Sequence, residues 1–135
     1  MSAATRALPV SNGFVWAGRA MTALPSLFLL VDGLMKLLKP AIVVEKTVEL
    51  RYPESLILAL GIVLISCSVI YVIPRTAVLG AILLTGYLGG AVATHVRVED
   101  GPFPVLFPVI VGALLWGGLW LREPRLRELI PSRAP

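Results

Sequence analysis

Too few charges are present in this chain to cover the surface of a soluble domain. Charged residues make up 15% of the sequence and hydrophobic residues 57%. A soluble domain is about a quarter charged and roughly 45–50% apolar. Cysteine is almost missing: Cys67 stands alone, which excludes an intrachain disulfide and a thiol relay built on a cysteine pair. Histidine is equally sparse. With His95 alone, a bis-histidine haem is excluded and at most one axial haem ligand is offered. One imidazole with scattered acids is a poor ligand set, so no metal site is expected. With 135 residues one domain is expected, with no room for a second soluble one. No cleavable leader is expected either. Arg6 resembles a basic leader segment, but Arg19 interrupts the stretch after it and no small-x-small site closes that stretch.

What fills the chain instead is four long apolar runs, at about 14–38, 55–73, 77–94 and 104–121. Roughly 20 apolar residues form a helix long enough to cross ~30 Å of hydrocarbon. The expected fold is an all-α integral membrane four-helix bundle with antiparallel neighbours and both termini on one side. Residues 1–13 form a short N-terminal tail, 14–121 the four-span domain and 122–135 a basic C-terminal tail. Pro40, Pro53-Glu54, Pro74-Arg75-Thr76 and Asp100-Gly101-Pro102 punctuate the spans. Pro25 is expected to bend the first span at most, and Pro104 and Pro108 lie near the start of the fourth, where the first N–H groups lack acceptors anyway. The connection 41–53 mixes β-branched residues with Glu45, Lys46, Glu49 and Arg51. It reads as an amphipathic helix at the membrane surface, with a strand as the alternative. Gly86 and Gly90 make a GxxxG pattern, suited to close packing inside the bundle or, in a homo-oligomer, between copies. The patch Ser66-Cys67-Ser68 suits helix contact in the same way.

Net charge of +4 does not mark a nucleic-acid binder, because the basic residues flank the spans instead of forming a soluble basic face. Arg6, Arg19, Arg75, Arg122, Arg125, Arg127 and Arg133 fall on the side of the termini, against Lys36, Lys39, Lys46, Arg51 and Arg97 on the other. Seven against five points to both termini in the cytoplasm, with a bacterial inner membrane as the expected location. Trp116 and Trp120, followed by arginines, mark the interface at the end of the fourth span.

Ionisable residues inside apolar spans are costly and therefore point to function. Spans one and three end on the same face, where span two begins. Asp32, Lys36, Glu54 and His95 thus share one depth zone. Asp32 and Lys36 are four residues apart and lie on one helix face, ~5.4 Å apart along the axis. Tyr87, Ala91 and His95 also recur at intervals of four, and Thr94 and Arg97 lie beside them. A carboxylate, an imidazole and a cation around an apolar pocket can hold or transform a small lipophilic ligand. The candidate ligand-binding residues are Asp32, Lys36, Glu54, Tyr87, Thr94, His95 and Arg97. Asp32 and His95 are the candidate acid or base if the chain is an enzyme. Plainer readings remain beside these: a structural Asp32–Lys36 ion pair, lysines reaching to headgroups, and a solvated interfacial His95.

Several stretches together resemble the DoxX-like family of small four-helix membrane proteins. They are Asp32-Gly33-Leu34-Met35-Lys36-Leu37, Ile73-Pro74-Arg75-Thr76, the run from Leu79 through Gly86-Tyr87-Leu88-Gly89-Gly90 to His95-Val96-Arg97, and Trp120-Leu121-Arg122 with Pro124-Arg125-Leu126. The resemblance implies a four-helix bundle with both termini inside. It also implies quinone or redox partners, since some relatives are associated with membrane redox complexes, including a thiosulfate:quinone oxidoreductase subunit. No cofactor is indicated by the residues themselves. The expected partners are the lipid bilayer and a lipophilic small molecule, such as a quinone, or a redox protein. The alternative is a stand-alone membrane enzyme isomerising or hydrolysing a lipophilic substrate. Transport fits less well, because four spans are few and no inverted repeat is evident.

Overall fold

The computed structural model describes residues 12–129. Most of the N-terminal tail with Arg6, and residues 130–135 with Arg133, lie outside them. Six helices follow one another: α1 (Asn12–Leu38), α2 (Ala41–Glu49), α3 (Ile57–Val72), α4 (Ala77–Arg97), α5 (Pro102–Arg122) and α6 (Pro124–Leu129). Single 3-10 turns at Glu54–Leu56 and Pro74–Thr76 lead into α3 and α4. No strand occurs among the described residues, and 41–49 is helical.

Among the described residues four segments are long and apolar enough to cross a membrane: Asn12–Leu38, Glu54–Val72, Pro74–Arg97 and Pro102–Arg122. Only 22–33% of each apolar window is buried inside the protein. Leu24, Leu79, Ile82 and Ile110 point outward, each more than half exposed. A soluble bundle turns such residues inward; here they form the face offered to lipid. The chain is an all-α membrane helical bundle.

Around the bundle, α1 packs on α3, α3 on α4, α4 on α5, and α5 returns to α1. Small residues set three of these crossings, as expected where dispersion and not water drives helix association. A Cβ on Gly18 would lie 2.9 Å from the Gly118 carbonyl of α5, and one on Gly61 would lie 3.0 Å from the Gly33 carbonyl of α1. At Gly80 it would meet the backbone of Tyr71 at 2.3 Å. Gly86, Gly89 and Gly90 differ: a Cβ there would meet nothing within 4 Å. The GxxxG pattern of α4 therefore does not pack against a neighbouring helix of the bundle.

The core is fullest toward the Pro74 end, where Tyr71, Leu115 and Leu119 are almost wholly buried. A chain of hydrogen bonds crosses it. Tyr71 Oη donates to the Leu115 carbonyl at 2.6 Å and so accepts from Thr22 Oγ1 at 3.3 Å. Thr22 in turn accepts from Arg122 Nε at 3.2 Å. α1 runs unbroken through Pro25. Cys67 is buried within α3, and the adjacent Ser68 donates to the Leu64 carbonyl at 2.8 Å.

Candidate functional site

At the other end the bundle opens. α1, α4 and α5 leave a cavity of about 550 Å³ between them, covered by α2 and the segment that follows it. Phe28, Leu29, Phe107 and Val111 give it apolar walls, and Phe28 meets Phe107 edge to face with ring centroids 5.2 Å apart. Gly86 and Gly90 form part of the α4 wall. Their missing side chains leave room where a larger residue would fill it.

Asp32, Lys36, Tyr87, Thr94 and His95 all border this cavity. Lys36 Nζ donates to Asp32 Oδ2 at 2.6 Å, one turn away on α1. This pair is only partly exposed, 16% for the lysine side chain and 39% for the acid, so each charge keeps a partner where solvation is reduced. Glu54 and Arg97 do not border the cavity. Glu54 is exposed at the start of the turn before α3. Arg97 works from outside: its Nη2 donates to the Leu50 carbonyl at 3.1 Å, and its guanidinium lies 5.6 Å from the Tyr52 ring centroid. It thereby ties the end of the α2 cover to the end of α4.

His95 finds its partner in Asp100, whose Oδ2 lies 2.7 Å from Nδ1. The helix ending explains the pairing. Past Arg97 the chain turns through Glu99, which takes a left-handed φ of 54°. The Glu99 N–H bonds to the Val96 carbonyl at 3.1 Å and the Asp100 N–H to the His95 carbonyl at 3.0 Å. These two bonds make a Schellman motif, which folds the residue after the left-handed one back over the last turn. Asp100 is thus attached to His95 by backbone and side chain together.

The same device ends α2. Arg51 has φ 64°, its N–H bonds to the Val48 carbonyl at 2.9 Å, and the Tyr52 N–H bonds to the Thr47 carbonyl at 3.3 Å. Tyr52 is thereby aimed at α4, where its hydroxyl lies 2.8 Å from Thr94 Oγ1. Thr94 donates to the Gly90 carbonyl at 2.8 Å, so the Tyr52 hydroxyl is the donor between the two. Thr47, buried on α2, also borders the cavity.

Sequence reasoning did not select Asp100, Tyr52, Thr47 or the glycine wall. Tyr52 and Thr94 are 42 positions apart, beyond any local rule. Asp100 carries a faint signal, an acid shortly after a histidine at a helix end, readable only once the Schellman turn is known.

Chemically the site offers an apolar chamber, an acid–lysine pair, an imidazole oriented by a carboxylate, and a tyrosine–threonine hydroxyl pair. With Nδ1 protonated toward Asp100, the His95 Nε2 keeps a lone pair and can act as a base. Among the described residues no three His, Cys, Asp or Glu side chains gather as a metal ion would need.

No curated protein and no solved structure gives a significant match to this chain. A family model does: the one described as the DoxX-like family matches residues 20–118, most of the four-helix bundle and all of the cavity wall, and the chain belongs to that family.

Proposed function

We propose that this membrane protein binds a small lipophilic molecule in the chamber beneath α2. One observation carries the reading: a cavity of about 550 Å³ joins apolar walls to convergent polar groups. Small-molecule sites have this size and character, roughly 300–1,000 Å³ and mostly apolar with a few placed polar atoms. The ligand's apolar part lies among Phe28, Leu29, Phe107 and Val111. Its oxygen or nitrogen meets Asp32–Lys36, His95 or the hydroxyls of Tyr52 and Thr94. A quinone has this chemistry, with two carbonyl acceptors on a flat apolar ring, and a redox protein would then be the natural partner. The arginine-rich Pro74 end is placed in the cytoplasm on charge bias, and a bacterial inner membrane is the setting this implies.

The His95–Asp100 pair favours a second reading, an enzyme performing isomerisation or hydrolysis on a lipophilic substrate. In that reading His95 is the base, Asp100 orients its ring, and Lys36 or Tyr87 stabilises developing charge.

The test is purification in mild detergent, extraction of bound small molecules and their identification by mass spectrometry. A defined lipophilic compound should co-purify with the wild-type protein and be reduced at least about tenfold in Asp32→Asn and in His95→Ala, the loss of roughly one polar contact. Full retention in both variants would overturn the assignment of the site. Turnover of the compound by the purified protein alone would select the enzymatic reading.

A further inference from the structure

The end of the bundle opposite the chamber carries a second hollow, of about 220 Å³, with predominantly polar walls. Three elements meet there. Arg19 comes from α1, Pro74 and Ala77 from the turn into α4, and Arg122 and Glu123 from the end of α5.

Both arginines are held from behind. Arg122 spends Nε on Thr22 Oγ1 at 3.2 Å and lies 5.9 Å from the Tyr71 ring centroid. Because Thr22 and Tyr71 belong to the buried hydrogen-bond chain, this guanidinium is fixed by the core itself. Arg19 stacks over the Trp16 ring at 5.2 Å. An arginine carries five N–H donors in a planar fork, so these contacts leave most of each guanidinium unspent.

Neither cation is neutralised within the described residues. The ion pairs formed there are Lys36–Asp32, Lys46–Glu49 and His95–Asp100, all remote from this hollow. Glu123 also borders it, with its Oε1 accepting the Arg125 N–H at 3.3 Å at the start of α6, so the hollow sets two guanidinium charges against one carboxylate.

A recess with a net positive charge at the ends of the spans, beside Pro74 and Arg122, matches the chemistry of a phosphate: a tetrahedral anion that accepts several N–H bonds at once. The recess also has room, since a single water takes up only about 30 Å³ of the liquid. We infer that this hollow binds a phosphate group between Arg19 and Arg122, presented by the headgroup of an anionic lipid. Arg122 supplies a prepositioned cation, and Arg19 closes on the phosphate from α1. The bound lipid bridges α1 and α5 at the crossing of Gly18 and Gly118.

The experiment is native mass spectrometry of the full chain in detergent, titrated with phosphatidylglycerol or phosphatidylcholine, each with and without millimolar inorganic phosphate. Phosphatidylglycerol should be retained in preference to phosphatidylcholine. Arg19→Gln should weaken its retention roughly tenfold, the scale of one charge-assisted contact. Arg125→Gln, at the same end but outside the hollow, should leave retention within about twofold. Competition by inorganic phosphate would identify the free anion as an alternative occupant of the same site; resistance to it would identify the lipid. Arg19→Lys keeps the charge and should restore most of the retention if Arg19→Gln loses its fold. Equal retention of the two lipids, or equal losses in Arg19→Gln and Arg125→Gln, would overturn the proposal and leave only a diffuse surface charge.

Discussion

Alanine placed at three glycines of α4 separates the stretch that holds the fold from the stretch that shapes the chamber. At Gly86 and Gly90 the added methyl group meets nothing within 4 Å. Only helix propensity remains, worth roughly 0.5–1 kcal/mol in favour of alanine at each site. At Gly80 the same methyl group would lie 2.3 Å from both N and Cα of Tyr71 and 2.7 Å from its Cβ, well inside the 3.0 Å below which real Cβ contacts essentially do not occur. α3 and α4 must move apart, at an overpacking cost of about 1–3 kcal/mol. The movement also pulls Tyr71 Oη from the Leu115 carbonyl, now 2.6 Å away, for a further ~1 kcal/mol. Set against the propensity gain, Gly80→Ala should destabilise by about 1–3 kcal/mol, while Gly86→Ala and Gly90→Ala each stabilise by up to ~1 kcal/mol. Denaturant unfolding in detergent, followed by tryptophan fluorescence, measures both. Gly86→Leu completes the set: it should keep near-wild-type stability and lose the co-purifying ligand, because its side chain enters the chamber. A stabilised Gly80→Ala would refute the described α3–α4 crossing. A Gly86→Ala variant destabilised by more than ~1 kcal/mol would show that this glycine packs against something after all, a second copy of the chain being the first suspect.

The helix ends and the buried network set three further outcomes. Glu99→Gly should stabilise by about 1 kcal/mol, because glycine adopts the φ of 54° without strain; matched unfolding curves check this. Arg97→Ala removes the tie to the Leu50 carbonyl, so amide exchange across 41–52 should quicken several-fold, roughly the effect of one hydrogen bond, while exchange in α3 is unchanged. Tyr71→Phe breaks the chain between Thr22 and Leu115 and should cost about 1–2 kcal/mol in the same unfolding assay, without loss of bound ligand.

The spans are legible in the sequence because the signal is collective: each is an average over many apolar residues, and Pro40, Pro53, Pro74 and Pro102 mark where helices cannot continue or are free to begin. The placement of Asp32, Lys36, Tyr87 and His95 around one space is also within reach, since spacing by four fixes a helix face and antiparallel order fixes depth. What lies beyond reach depends on single torsions and long separations. Nothing in the letters Glu99 and Arg51 announces a left-handed φ, which glycine more often supplies. Without those turns, Asp100 reads as one more acid outside the membrane and Tyr52 as a loop residue. Arg97 stands close to the cavity in sequence, but its length carries its charge past the chamber to the Leu50 carbonyl. The GxxxG of α4 is ambiguous in principle, since an absent side chain serves either a close helix crossing or an empty space.

That ambiguity resolves into a division of labour along one helix. The first turns of α4 carry Ala77, Gly80, Ala81 and Leu84, all buried, and the glycine there lets the helix approach Tyr71 closely enough to anchor the hydrogen-bond chain. Two turns later the residues are again small, but no helix closes on them. A bundle of four helices has only so much contact to distribute. Where it is concentrated, α1, α3, α4 and α5 form a stiff base. Where it is withheld, a chamber opens, and its rim is held by directional bonds instead: Tyr52 to Thr94, Arg97 to Leu50, and Asp100 to His95. Directional bonds at a partly exposed rim are worth about 1 kcal/mol each and can break singly, whereas a packed crossing fails only as a whole. The α2 cover is therefore the element most weakly tied to the bundle, and the proposed binding of a lipophilic molecule would draw on that weakness while the base stays closed. The polar residues most suited to chemistry sit on the side of this division where motion is cheapest.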